Sequence, residues 1–477
     1  MSALKALQTE FPASQILLPE TEAYKTSNST YLAQQNSDIK PAAIFQAADA
    51  KDVVKFIQLV SPFTKDEDFA FAIRGAGANP LPYGNNIGET GTTLDLSRLD
   101  EIDVGENSVS IGAGARWGAV YDALDGTGRG VSGNRSAKGG IGGLALQGGV
   151  SFFSSREGFV CDNVLNYEVV LASGEIVNAN AKENSDLWIA LRGGGNNFGV
   201  ITRFNLRTFP QGRFWGGSVY YFGPSFPSQV EALVSELNKP DATKESHLMI
   251  SAGFSHLFGP QAMCMNQVYY TQEVEKPDVL EPFVSVSPQI DSMNSMRMMT
   301  LKEAASEQAA ASQQVRCSYM NATVKADAET LKQAYEFYTS SVATINTTTE
   351  GLTCSLTFQP YALSFLESSA SQGGNSLGLD TSSGSLVSVL LLSYWSKRED
   401  DQKIKETMRG VLEKIEQDSN ERGTAVSFKY MNYASEFQDP ISSYGSENKK
   451  RLQDVSRKYD PQGLFQKAVP GGFKIFP

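Results

Sequence analysis

Three clusters of glycine near the start of the chain constrain its fold more than any other feature. The apolar run Phe69–Ile73 leads into Arg74-Gly-Ala-Gly-Ala-Asn-Pro80, and two more clusters follow at Gly139–Gly149 and Gly193–Gly199. Loops stripped of side chains leave backbone N–H groups free to converge on an anionic ligand, usually a phosphate. Any one cluster alone reads as a tight turn. Three of them, each entering or leaving an apolar run, predict a nucleotide site.

A net charge of −12 excludes a nucleic-acid binder, because neutralising phosphates needs a basic face. With 477 residues, 41% of them hydrophobic, two or three domains with their own cores are expected. Cys161, Cys264, Cys317 and Cys354 form no C-x-x-C pair, which argues against a disulfide framework or a zinc site and for buried apolar packing. No metal is expected. The stretch Met1–Leu18 lacks the apolar core of a secretory signal, and no run reaches the ~18 apolar residues of a membrane span. A cytoplasmic protein without a membrane partner is the expectation.

Along the chain, the pattern predicts a strand at Ala42–Gln46, a helix at Asp52–Leu59 capped by Asp49, and short strands at Thr92–Leu96, Ile102–Val104 and Ser108–Gly112. Trp117–Leu124 turns helical. The order is that of an α+β module rather than a regular βαβ array. Gly140-x-Gly142-x-x-Ala145 matches the dinucleotide fingerprint formally, but the polar stretch Val131–Lys138 stands where the fingerprint needs a buried strand. Asn166–Leu171 and Ile176–Val177 read as a hairpin, Asp186–Leu191 as a helix and Val200–Leu206 as a strand. Pro210-Gln-Gly212 marks a boundary. Beyond it, strands at Ser218–Phe222, Met249–Ser251, Gln267–Thr271 and Leu386–Trp395 are interspersed with helices at Gln229–Leu237, Asp327–Thr339 and Lys403–Glu416. Ser369–Gly384, rich in Ser and Gly, reads as a mobile loop.

Taken in order, these motifs resemble the berberine-bridge-enzyme-like flavoproteins of the vanillyl-alcohol-oxidase superfamily, which carry a PCMH-type FAD-binding domain. Arg74-Gly-Ala-Gly-Ala78 stands in place of the family's Arg-x-Gly-Gly-His. Gly139-Gly-Ile-Gly-Gly143 and Leu146-Gln-Gly-Gly149 stand in place of its second loop. Glu168-Val-Val-Leu-Ala-Ser-Gly-Glu-Ile-Val177, Arg192-Gly-Gly-Gly-Asn-Asn-Phe-Gly-Val-Ile-Thr202, Tyr430-Met-Asn-Tyr433 and Lys458-Tyr-Asp-Pro-Gln-Gly-Leu-Phe-Gln466 match its later motifs. The resemblance implies an α+β fold with a two-part FAD-binding domain at 1–208 and 429–477. A substrate domain at 213–428 would be built on an antiparallel sheet flanked by helices. The implied cofactor residues are Arg74, Gly75, Ala76, Gly77, Ala78, Asn79, Ser136, Gly139, Gly140, Gly142, Gly143, Gly149, Gly195, Gly199, Val200, Ile201 and Asn432.

The family's flavin-linking histidine is Ala78 here, and its linking cysteine is Ser136. The resemblance therefore implies FAD held without a covalent bond. Ala76 and Gln147 replace glycines, and a methyl at Ala76 narrows the approach to the ligand. Flavin oxidation often needs a base for an O–H or N–H proton. The two histidines, His247 and His256, fall in the middle of the chain, away from the predicted ring, so Tyr430 or Tyr433 is the candidate base. A tyrosine in that role needs a nearby cation. Phe358, Tyr361, Tyr394 and Trp395 are candidates for an apolar substrate wall, although strand alternation turns only half of such residues inward. Two functions follow. One is an FAD oxidase acting with O2 on a medium-sized apolar metabolite of secondary metabolism. The other is a redox-neutral cyclase, of the pericyclase or Diels–Alderase kind, or an isomerase, with FAD absent or only structural. The altered glycine loops favour the second; the intact third loop and tail favour the first.

Overall fold

The computed structural model describes residues 2–64, 69–255, 259–310 and 315–476. His256 lies outside them. Three sheets carry the fold, joined by helices into an α+β architecture.

The first sheet has the order β1 (Ile16–Leu17), β2 (Ala43–Gln46), β4 (Thr92–Asp95), β3 (Phe71–Arg74), with β2 and β3 both parallel to β4. The helix Ala50–Val60 begins at Asp49, whose Oδ1 accepts the Asp52 amide at 2.9 Å. It buries Val53, Phe56, Ile57 and Val60 at helical spacing against Phe45 and Phe71. The second sheet runs β5 (Ile102–Val104), β6 (Ser108–Gly112), β10 (Val200–Pro210), β8 (Val164–Val170), β9 (Ile176–Asn180), and β7 (Arg129–Val131) pairs with the far end of β10. β8 and β9 form the hairpin expected around the Ser173-Gly174 turn, where Gly174 takes φ +82°. The second glycine cluster is not an open loop: Ile141–Leu146 forms a short helix.

The third sheet is antiparallel, in the order β14 (Arg297–Met299), β11 (Phe214–Phe222), β13 (Met263–Tyr270), β12 (Ser246–Ser255), β16 (Thr353–Tyr361), β17 (Leu386–Trp395), β15 (Arg316–Lys325), β18 (Ala425–Val426). One face carries Ile250, Phe358, Val389, Met320 and their neighbours, packed under the helices Phe226–Leu237, Ala328–Asn346 and Asp401–Arg422. Period-2 alternation sends the intervening residues, among them His247, Met249, Gln359, Tyr394 and Tyr319, to the other face. That face looks toward the glycine loops. All four cysteines are buried. Among the described residues no helix is long and apolar enough to cross a membrane.

Candidate active site

The glycine loops meet in one cavity of about 650 Å³. The first loop leaves β3 and turns at Gly77, where φ is +68° and a side chain would be strained. Arg116, at the N-terminus of the helix Trp117–Leu124, fastens this loop to the second. Its Nη2 donates to the Ala76 carbonyl at 2.9 Å and its Nη1 to the Lys138 carbonyl at 2.6 Å. The third loop closes onto the helix Ile141–Leu146 through the Gly195 amide, which donates to the Leu146 carbonyl at 2.9 Å. Asn432 joins the cluster from the C-terminal segment. Its Nδ2 donates to the Gly143 carbonyl at 3.1 Å, and its Oδ1 accepts the Gly149 amide at 3.2 Å.

Glycine has two separate uses in this cradle. A Cβ on Gly140 would stand 2.4 Å from the Ala76 Cβ, so Gly140 makes room for Ala76. A Cβ on Gly142 would meet only the Ala113 carbonyl at 3.9 Å, and one on Gly143 would meet nothing within 4 Å. Protein packing does not require these two glycines; they hold space open beside the first-turn N–H groups of their helix, which lack intrahelical acceptors. Arg116 and Lys138 line the same region. Open backbone, amide donors and two cations fit the diphosphate of a dinucleotide.

Of the residues predicted for the cofactor, Gly75, Ala76, Gly77, Ala78, Asn79, Ser136, Gly139, Gly140, Gly142, Gly143, Gly195, Gly199, Ile201 and Asn432 line the cavity. Three lie away from it. Arg74 turns back to the N-terminal arm, donating Nη1 to the Ser27 carbonyl at 2.9 Å and Nη2 to the Thr30 hydroxyl, with its guanidinium 4.0 Å over the Tyr31 ring. Gly149 serves packing: φ is +81° and a Cβ would fall 2.7 Å from that of Val160. Val200 is fully buried in β10, paired with Val170.

At the sheet end of the cavity stands Tyr433. Its hydroxyl accepts from Arg135 Nη2 at 2.7 Å and donates to Gln359 Oε1 at 3.3 Å. Arg135 Nη1 also lies 3.4 Å from His247 Nε2 and 3.3 Å from Met249 Sδ. Burial, reinforced by Arg135, pushes His247 well below the usual imidazole range, which keeps it neutral. Tyr394 lines the cavity and shares a 2.8 Å hydrogen bond with Tyr319. Burial pushes the Tyr394 phenol up to about 12.

Tyr430 also lines the cavity, but its ring is wedged among Phe159, Tyr361, Phe428 and Tyr433, and burial pushes its phenol well above the usual range. Phe358 and Trp395 fall on the opposite face of the sheet. Phe358 packs on Phe226, and Trp395 donates Nε1 to Asp401 at 2.7 Å. Tyr361 has the cavity-facing parity but lies beyond the cavity, against Phe159 and Phe365. Arg116, Arg135, Gln359 and Tyr319 stand in no motif that marks them as site residues. Arg135 is adjacent to Ser136, but its partners lie 112 or more positions away along the chain.

A glycine-lined anion cradle at one end and a tyrosine–arginine pair under an antiparallel sheet at the other define a nucleotide-cofactor enzyme. The family profile for an FAD binding domain matches residues 41–180, and that for berberine and berberine-like proteins matches residues 429–469. An FAD-dependent monooxygenase of Fusarium proliferatum is 36% identical over 463 residues, spanning 94% of this chain and 88% of the relative. A bifunctional solanapyrone synthase of Alternaria solani is 30% identical over 437 residues, spanning 91% and 82%. The fold superposes on the xylooligosaccharide oxidase of Myceliophthora thermophila with a TM-score of 0.79 at 18% identity, over 99% of each chain. The chain belongs to the berberine-bridge-enzyme-like family of FAD-linked oxidoreductases, and FAD is its cofactor.

Proposed function

We propose that the chain is an FAD-dependent oxidase acting on a medium-sized, largely apolar metabolite of secondary metabolism. In this reading residues 1–208 and 429–477 hold the flavin without a covalent bond, and residues 213–428 cover it and wall the substrate space. The observation that carries the reading is the position of Tyr433. It lines the same cavity as the glycine loops, and its hydroxyl lies 2.7 Å from a guanidinium.

FAD, when bound, supplies the acceptor for the two electrons that leave a substrate C–H, and O2 takes them on. The chain supplies the rest. As a phenolate stabilised by the Arg135 guanidinium, its own proton released to solvent beforehand, Tyr433 takes the O–H or N–H proton, and the neutral hydroxyl so formed donates a hydrogen bond to Gln359 Oε1. Tyr430 is assigned to packing. Ala78 and Ser136 line the cavity, and neither offers a thiol or imidazole, which supports a non-covalent flavin.

The redox-neutral cyclase or isomerase reading draws on Ala76 and Gln147 in place of glycines, and Gln147 lines the cavity while the Ala76 methyl is the obstruction nearest the first loop. That methyl is turned against Gly140, which supports the oxidase instead. The test is the absorbance spectrum of the purified protein, before and after incubation with FAD. A flavin spectrum that persists through gel filtration is expected. A colourless protein that takes up no FAD yet converts substrate overturns the proposal.

A further inference from the structure

The charge of the cavity is at odds with the charge of the chain. The protein carries a net charge of −12, yet among the described residues the cavity lining contains Arg116, Arg135 and Lys138 and no Asp or Glu. Arg116 and Lys138 lie at the glycine loops, where a diphosphate accounts for them. Arg135 is at the other end, under the sheet. Among the described residues its guanidinium makes contact with a phenol, an imidazole and a thioether, and with no carboxylate. His247 stays neutral, so the cluster keeps one uncompensated positive charge in a half-buried position. Such a charge is costly unless an anion joins it, and a low-dielectric cavity strengthens that pairing.

We propose that the substrate carries an ionised oxygen, either a carboxylate or an acidic enol or phenol, and that Arg135 is its counter-ion and a determinant of specificity. The proposal deepens the oxidase reading by naming the substrate class, and it rests on that reading for the position of the substrate. Tyr433, hydrogen-bonded to the same guanidinium, then stands beside the anion's anchoring point, which places a neighbouring O–H or N–H of the substrate within its reach.

The test is calorimetric titration of the FAD-saturated protein with two probe pairs, benzoate against benzamide and para-nitrophenolate against para-nitroanisole. Saturating FAD keeps the anions out of the diphosphate cradle. At least one anion is expected to bind about tenfold or more tighter than its neutral partner. Arg135→Gln is expected to abolish the preference and Arg135→Lys to retain part of it. Equal binding within both pairs by the wild-type protein overturns the proposal without any variant. An unchanged preference in a folded Arg135→Gln protein also overturns it, and if the flavin spectrum shifts at the same time, Arg135 serves the flavin. No turnover is involved, so failure here is distinct from failure of the oxidase reading, which the flavin spectrum and uptake decide.

Discussion

Gly140 and Ala76 form a pair whose geometry gives a quantitative expectation. A methyl introduced by Gly140→Ala would fall 2.4 Å from the Ala76 Cβ and 3.3 Å from the Ala76 amide nitrogen. Carbon atoms in contact sit at about 3.5–4.0 Å, so the overlap exceeds 1 Å by rough subtraction. Neither methyl has a rotamer to escape into, and both loops are tied down, by Arg116 and by the pairing of Arg116 with Gly140. The strain must appear as backbone displacement, and overpacking of this kind costs about 1–3 kcal/mol. Ala76→Gly alone removes one methyl from a residue of ordinary φ and costs about 0.5–1 kcal/mol in chain entropy. The double variant is expected to be no less stable than Ala76→Gly, giving a coupling energy of about 1–3 kcal/mol between the sites. Urea denaturation of the four proteins, with and without FAD, measures it. If Gly140→Ala is as stable as the wild-type protein, or its penalty survives in the double variant, the account of why this loop needs glycine is wrong.

Arg116→Gln removes the clamp between the first two loops, and equilibrium dialysis should find FAD bound about tenfold or more weakly. Tyr433→Phe should lower turnover about 100- to 10,000-fold with FAD affinity unchanged, whereas Tyr430→Phe should stay within about tenfold of wild type; equal losses would contradict the assignment of the base. Burial pushes the Lys474 ammonium down to about 7, against the pull of Asp460. A lysine depressed in the folded state lowers stability below that value, and the cost fades as pH rises from about 7 toward the unfolded value of about 10.4. Lys474→Met should therefore gain most over wild type below neutrality, with the gap in thermal midpoint narrowing toward pH 10; a pH-independent gap would refute the shift.

Where one face of an element is apolar, the sequence was legible to within a few residues. The helix Trp117–Leu124 and the strand Leu386–Trp395 have the predicted bounds, and Asp49 caps the helix expected of it. β15 and β16 fall outside the expected strands although Met320-Asn-Ala-Thr-Val324 and Cys354-Ser-Leu-Thr-Phe-Gln359 alternate apolar and polar residues in the way that marks a half-buried strand. The composition of Ser369–Gly384 is that of a mobile loop. Its first residues are helical, and Arg192 Nη1 holds the Gln372 and Gly374 carbonyls at 2.9 Å each. The convergence of three glycine loops came from resemblance rather than from spacing. Arg74 has the family's position and a structural partner set, because the N-terminal arm that satisfies it is 44–47 positions away. Arg116 was invisible for a related reason: its acceptors are backbone carbonyls, which any sequence provides.

In the function proposed above, this cradle holds one FAD by non-covalent contacts alone. It is tested most directly by denaturing the FAD-loaded protein, measuring the intact mass of the chain and quantifying FAD in the supernatant. The expected result is the mass of the bare polypeptide and close to one FAD released per chain. A chain heavier by the mass of the flavin, or a protein from which no FAD can be released after incubation with it, would contradict it.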